Sequence, residues 1–223
     1  MGTATGFGVG ARWRAVLGVG VTLALVAPGV GLAADPDLAM HRTELYGVQP
    51  GWDPPVFGWR VAGGDFDGDG YSDIALTEPG VDLVLVLSGS ARGVRSTVAE
   101  LSAQTFNPTG DGIYGHSLAV GDTNGDGYDD LGVGVHDAPG KLAVYLGGPD
   151  GLSGDSERVL TRPEDGSEDA FSAFGIDAAG GGDMDGDGYA ELLVPDLLWG
   201  KTSDSVAGSG GGVVRVFRRT RRP

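Results

Sequence analysis

Asp65, Asp67, Asp69 and Asp73 fall at positions 1, 3, 5 and 9 of one short run, with Tyr71 at position 7. Alternate residues of a tight loop turn inward, so positions 1, 3 and 5 converge. Position 7 offers its backbone carbonyl, and position 9 returns a carboxylate as the next segment begins. Gly70, at position 6, stands where the chain must turn sharply. These are hard oxygen donors for a hard cation: Ca²⁺ accepts 6–8 of them in flexible geometry, Mg²⁺ demands a stricter octahedron, and transition metals recruit histidine or cysteine. The pattern recurs as Asp122, Asn124, Asp126, Tyr128 and Asp130, then as Asp183, Asp185, Asp187, Tyr189 and Glu191. Asn124 makes the second set less negative, and Glu191 lengthens one arm of the third. Asp129, at position 8, is expected to face solvent.

Two other readings compete. An EF-hand shares the first six positions but needs a glutamate at position 12 and flanking helices. Position 12 here is Leu76, Val133 or Val194. A metal-free Gly/Asp turn would explain one such run. Three at similar spacing argue against it, because packed carboxylates repel unless a cation holds them.

Little else in the chain suggests chemistry. His41, His116 and His136 lie in separate segments with no His-x-x-x-His spacing, and are read as surface or packing residues. No Gly-x-Ser-x-Gly elbow is present, and Gly208-Ser209-Gly210 reads as a loop. Trp52, Trp59 and Trp199 are expected to pack, with sugar stacking as the alternative. The C-terminal arginines 215, 218, 219, 221 and 222 read as a solvated end, or as a basic segment docking on an acidic surface, including that of a second copy. No catalytic acid/base pair stands outside the loops, so an enzyme is not expected.

The elements that must position these loops also repeat. First aspartates are 57 and then 61 residues apart. Strand-like runs precede each loop (59–63, 117–120, 176–179), follow it (74–77, 131–135, 192–194) and come again (81–87, 141–146, 212–217). A weaker fourth run appears twice, at 96–102 and 157–161. Helical periodicity is absent from the mature chain. Antiparallel strands with glycine turns, four to a repeat, describe a propeller blade. The third repeat is short, and the segment 38–46 is expected to complete it as an outer strand.

The chain has 223 residues, a formal charge of −16 and no cysteine. The charge argues against a nucleic-acid partner, and the absence of cysteine excludes disulfides and thiolate metal sites. Twelve of the 31 acids fall in the three loops, so the charge is clustered rather than spread. Arg12 and Arg14, the apolar run 15–30 and the small residues 31–34 read as a signal peptide over residues 1–34. The apolar run is shorter than the ~20 residues of a membrane span, so no span is expected after cleavage. Residues 35–56 read as an N-terminal strand and linker.

The pairs Phe57-Gly58, Tyr114-Gly115 and Phe174-Gly175, the three loops, and later Ala138-Pro139 (more weakly Glu78-Pro79 and Val194-Pro195) resemble the FG-GAP repeat family, which forms the blades of the integrin α head and of many bacterial secreted proteins. The resemblance sets repeats at 57–113, 114–173 and 174–223. It implies an all-β, β-propeller-like array of about three blades, with up to three Ca²⁺ ions held by the residues named above. Family propellers usually have more blades than three. The interval from FG to the first aspartate is one residue longer in the third repeat, which predicts a bulge near Gly180–Gly182. The function implied is a secreted, non-catalytic adhesion or ligand-binding module for an extracellular protein or glycan. The alternatives are an accessory part of an extracellular hydrolase or lyase, or a self-assembling scaffold. Exposed strand edges would favour homo-oligomers.

Overall fold

A computed structural model of the chain describes residues 13–16, 22–26, 44–48, 57–95, 97–102, 112–136, 140–154, 158–162, 171–199 and 212–219. It divides into two compact units, Met1–Phe57 and Gly58–Pro223. In the first unit β1 (Trp13–Val16), β2 (Thr22–Val26) and β3 (Glu44–Val48) form an antiparallel sheet in that order. Of the segment 38–46, expected to complete the last blade as an outer strand, only 44–46 is described, within β3, which pairs with β2, Leu45 opposite Leu25. Residues 38–43 lie outside the described residues. Loss of a leader spanning residues 1–34 would take both β1 and β2 away from β3.

The second unit is three antiparallel sheets, one per repeat. The first blade runs β4 (Val61–Gly64), β5 (Asp73–Glu78), β6 (Leu83–Leu87) and β7 (Thr97–Ser102) in spatial order. The second runs β8 (Ile113–Gly121), β9 (Asp130–His136), β10 (Lys141–Tyr145) and β11 (Arg158–Thr161). In the third, β12 (Phe171–Ser172) and β13 (Ala179–Gly182) both pair with β14 (Glu191–Trp199), which pairs on its other side with β15 (Gly212–Phe217). Together β12 and β13 take the place of the single strand β8, so this blade has three strand positions. Among the described residues nothing pairs with the outer edge of β15. There is no α-helix among them, only a 3₁₀ turn at Pro79–Val81. That turn explains why β6 starts at Leu83 rather than at Val81. The strand before the third loop starts at Ala179 rather than Ile176, and its register shifts between Gly180 and Gly182, where the longer interval predicted a bulge.

The FG pairs mark each blade's entry. Gly58, Gly115 and Gly175 adopt φ of 74°, 77° and 77°, a region open to glycine at little cost. A Cβ on Gly175 would also lie 2.3 Å from the Lys141 carbonyl of the preceding blade. The aromatic partners Tyr114 and Phe174 are fully buried. Two apolar clusters join neighbouring blades. One unites Val84, Val86 and Leu101 with Leu131, Val133 and Tyr145, and the other sets Leu142 and Val144 against Phe174, Leu192 and Val194. Each such side chain, fully buried, stabilises by roughly 1.5–3 kcal/mol. Register makes Val84 and Val86, Leu142 and Val144, and Val214 and Val216 equivalent pairs. The first two pairs are no more than 4% exposed, whereas Val214 and Val216 are 63% and 52% exposed.

Candidate metal centres in the blade loops

Each loop links the inner strand of its blade to the next strand, and its own carboxylates shape it. Position 1 accepts the N–H of the position 6 glycine: Gly70 to Asp65 Oδ2 at 3.0 Å, Gly127 to Asp122 Oδ2 at 2.8 Å, Gly188 to Asp183 Oδ2 at 3.0 Å. Position 5 accepts the N–H of position 7: Tyr71 to Asp69 at 2.9 Å, Tyr128 to Asp126 at 3.0 Å, Tyr189 to Asp187 at 3.1 Å. In the first two loops position 3 accepts from position 5, Asp69 to Asp67 at 3.0 Å and Asp126 to Asn124 at 2.9 Å. These are successive Asx turns, the local bonding that short acids offer a turning chain.

Position 9 is different, because it is buried. Asp73, Asp130 and Glu191 are 3%, 1% and 2% exposed. Asp73 accepts from Phe66 N–H at 3.0 Å within the loop and from Gly89 N–H at 2.8 Å beyond β6. Asp130 accepts from Thr123 N–H at 2.9 Å, from the Thr123 hydroxyl, and from Gly147 N–H at 3.0 Å beyond β10. Burial pushes the Asp73 carboxyl up; the Gly89 and Phe66 N–H groups oppose this, and the charges of Asp67 and Asp69 add to it. Burial likewise raises Asp130, against the bonds from Thr123 and Gly147 and with the charge of Asp126. Cost of burial thus outweighs hydrogen bonding at both. A cation in the loop would act in the opposite sense.

Convergence is uneven. Asp65, Asp67 and Asp73 each bring a carboxylate oxygen within 4.8 Å of the others, as do Asp183, Asp185 and Asp187. Asp69 and Glu191 fall outside these groups, and among the described residues the second loop forms no such group. There Asn124 Nδ2 donates to Asp126 Oδ2 at 2.8 Å, so an amide meets the position 5 oxygen. Two buried oxygens have no hydrogen-bond partner: Asp65 Oδ1 in the first loop and Glu191 Oε1 in the third. Glu191 spends its other oxygen on Met184 N–H at 2.7 Å. A buried, unpartnered carboxylate oxygen is costly, and Asp65 Oδ1, on one of three converging acids, suits a hard divalent cation. The residues of the first and third loops therefore fit a metal ion.

Several partners were not legible in the loops alone. Asp129 is half-buried rather than wholly solvated: its Oδ2 accepts the Asp65 N–H at 2.9 Å, and its own N–H goes to the Asp65 carbonyl at 3.0 Å. Ala190 N–H repeats the second bond to the Asp122 carbonyl at 2.7 Å. The position 7 side chain also matters. A Cβ on Gly68 would lie 2.6 Å from Tyr128 Cε1, and one on Gly125 the same distance from Tyr189 Cε1, so each tyrosine ring rests on the preceding loop. The basic tail is not wholly solvated. Arg215 pairs with buried Asp196 at 3.0 Å, and Arg218 and Arg219 reach the loops. The one sequence signal for the Gly89 and Gly147 clamps is that each lies two residues beyond the end of its blade's third strand. His116 Nδ1 bonds the Ile176 carbonyl at 2.7 Å, and its ring lies 5.4 Å from that of His136 and 6.0 Å from that of Trp59. Both histidines belong to the second repeat and Trp59 to the first, and Trp59 remains 49% exposed.

Comparison with known proteins agrees with this geometry. The family model for the FG-GAP repeat matches residues 57–97 and 114–147, the first two blades. The chain is 30% identical to integrin alpha-6 of Gallus gallus over 164 residues, 68% of this chain and 14% of that protein. It is 32% identical to integrin alpha-8 of Mus musculus over 165 residues, 66% of this chain and 15% of that one. It is 30% identical to integrin alpha pat-2 of Caenorhabditis elegans over 190 residues, 73% of this chain and 14% of the relative. The chain thus spans only 14–15% of the length of these relatives. With matched repeats, a third blade built to the same plan and relatives of this kind, the chain belongs to the FG-GAP repeat family.

Proposed function

We propose that this chain is a secreted, non-catalytic module for adhesion or ligand binding, whose blade loops are stiffened by up to three calcium ions. The observation that carries the metal reading is the pair of buried, unpartnered oxygens, Asp65 Oδ1 and Glu191 Oε1, each in a loop where three carboxylates converge. Calcium is favoured because every candidate donor is oxygen and no histidine joins the groups. The second loop, with Asn124 and no convergent trio, is the weakest of the three. Relationship to integrin α chains supports a binding role toward an extracellular protein or glycan. Export is supported by the basic, apolar and small-residue order of the N-terminus. Among the described residues no helix is long and apolar enough to cross a membrane. Exposed Val214 and Val216 favour self-association as an accompanying property.

The test uses the mature protein stripped with EGTA. Extracellular sites commonly bind calcium at ~10⁻⁴–10⁻³ M, so 10 mM calcium should stabilise by about 1.4–2.7 kcal/mol per site. Magnesium should give less. No shift, or equal shifts from both ions, overturns the calcium reading. Protein and glycan arrays probed with calcium and with EGTA then test the binding role, which fails if no ligand is retained in calcium.

A further inference from the structure

The third loop has a neighbour that the first lacks. Beyond β15, Arg218 Nη1 lies 3.2 Å from Asp185 Oδ2. Arg219 Nη1 donates to the Asn124 carbonyl at 2.6 Å, and its guanidinium sits 5.0 Å from the centre of the Tyr189 ring. The two arginines therefore tie the C-terminal segment to the second and third loops at once. Asp185 is one of the three carboxylates that converge in the third loop. Asp67, its counterpart in the first, has no such ion pair among the described residues.

The exchange has a simple origin. Register places residue 219 where Gly89 and Gly147 stand in the first two blades. Those glycines bring an N–H to the position 9 carboxylate. A Cβ at either would lie 2.2–2.3 Å from a backbone carbonyl, so arginine cannot follow the same path. Glu191 is left with one oxygen buried and unpartnered, 2% exposed as a residue. Neither arginine bonds to it. The third loop thus keeps its need for a cation while an arginine holds one of its ligands.

We infer that Arg218 is a tethered competitor for the third metal site: it contends with the metal for Asp185, and ion binding there frees the Arg218 side chain. This deepens, and rests on, the calcium reading given above. The contest is unequal but not trivial. An exposed ion pair is weak by itself, because solvent screens it; Arg218 and Asp185 are 65% and 40% exposed. Arg219, stacked on Tyr189 and bonded to Asn124, holds its neighbour in place and raises its effective concentration. Competition of this size should weaken the site about two- to five-fold, not abolish it.

The experiment is a calorimetric calcium titration of the whole mature chain and three variants. Asp187→Asn identifies the third site as the binding step it removes. Arg218→Gln should tighten that step about two- to five-fold and leave the others unchanged. Arg222→Gln removes the same charge from the same tail and should leave it unchanged. Trypsin should also cut the wild-type chain after Arg218 faster in calcium than in EGTA. If Arg218→Gln shifts every step alike, or no more than Arg222→Gln does, the competitor is overturned and the calcium reading stands. If no variant and no wild-type chain takes up calcium, both fall.

Discussion

The Asp129 carboxylate accepts the backbone N–H of Asp65 at 2.9 Å across the boundary between the first two blades. Both residues belong to metal-loop motifs, yet this contact needs no metal. Asp129→Ala leaves the Asp65 N–H to find another partner, and should cost about 1–2 kcal/mol in urea denaturation. Asp129→Asn keeps an acceptor oxygen and should recover much of that loss. A cost for alanine below about 0.5 kcal/mol would show that the bridge adds nothing.

Gly89 and Gly147 are fixed by space. A Cβ on Gly89 would lie 2.2 Å from the Ser72 carbonyl, and one on Gly147 2.3 Å from that of Asp129. Backbone must move to admit it, and the clamp on Asp73 or Asp130 moves too. Alanine at either should cost about 2–4 kcal/mol and lower the thermal midpoint by several degrees. Gly154→Ala, with nothing within 4 Å of the new methyl, should change stability by less than about 0.5 kcal/mol.

The loop tyrosines separate by place. Tyr128 rests on Gly68, whereas Tyr71 is 45% exposed. Tyr128→Ala should destabilise by about 2 kcal/mol and Tyr71→Ala by less than about 0.5. Calcium stoichiometry should survive both, because position 7 supplies a carbonyl. Equal losses of stability in the two variants would remove the interlocking role of the ring.

Tyr114 gives a signature at alkaline pH. It is fully buried and shares a 2.7 Å hydrogen bond with the Tyr145 hydroxyl. Burial first, then Tyr145 and the charge of Asp82, hold its phenol well above the ordinary value near 10. A raised folded value means the native state keeps a proton that the unfolded chain gives up. Stability from this group is complete below pH ~10 and is lost as pH rises above it. Absorbance at alkaline pH should show Tyr114 ionising only with unfolding. In Tyr114→Phe that late tyrosinate step should vanish.

The loops, the order of the strands and the bulge before Asp183 were legible because each depends on local spacing that repeats. Asp65, Asp67 and Asp73 could be placed together from their numbers alone. Asp129 could not, since its partner lies 64 residues away and nothing in its own loop points to it. Arg218 read as a solvated end for the same reason: Asp185 is 33 residues back and in another element. The pairing of β3 with β2 was not legible either, because composition marks a strand without naming its neighbour. That Asn124 makes the second loop less negative is legible in the sequence, but its donation to Asp126 required the loop's actual shape.

Each blade leans on the one that follows. Tyr128 covers Gly68, Asp129 bridges to Asp65, and Tyr189 covers Gly125, while among the described residues Val214 and Val216 stay exposed. Support therefore runs one way along the chain. Where a blade edge goes uncovered, local opening costs less. Amides of β14 and β15 should exchange with solvent before those of β5 and β9, and melting should begin at the C-terminal blade and travel inward.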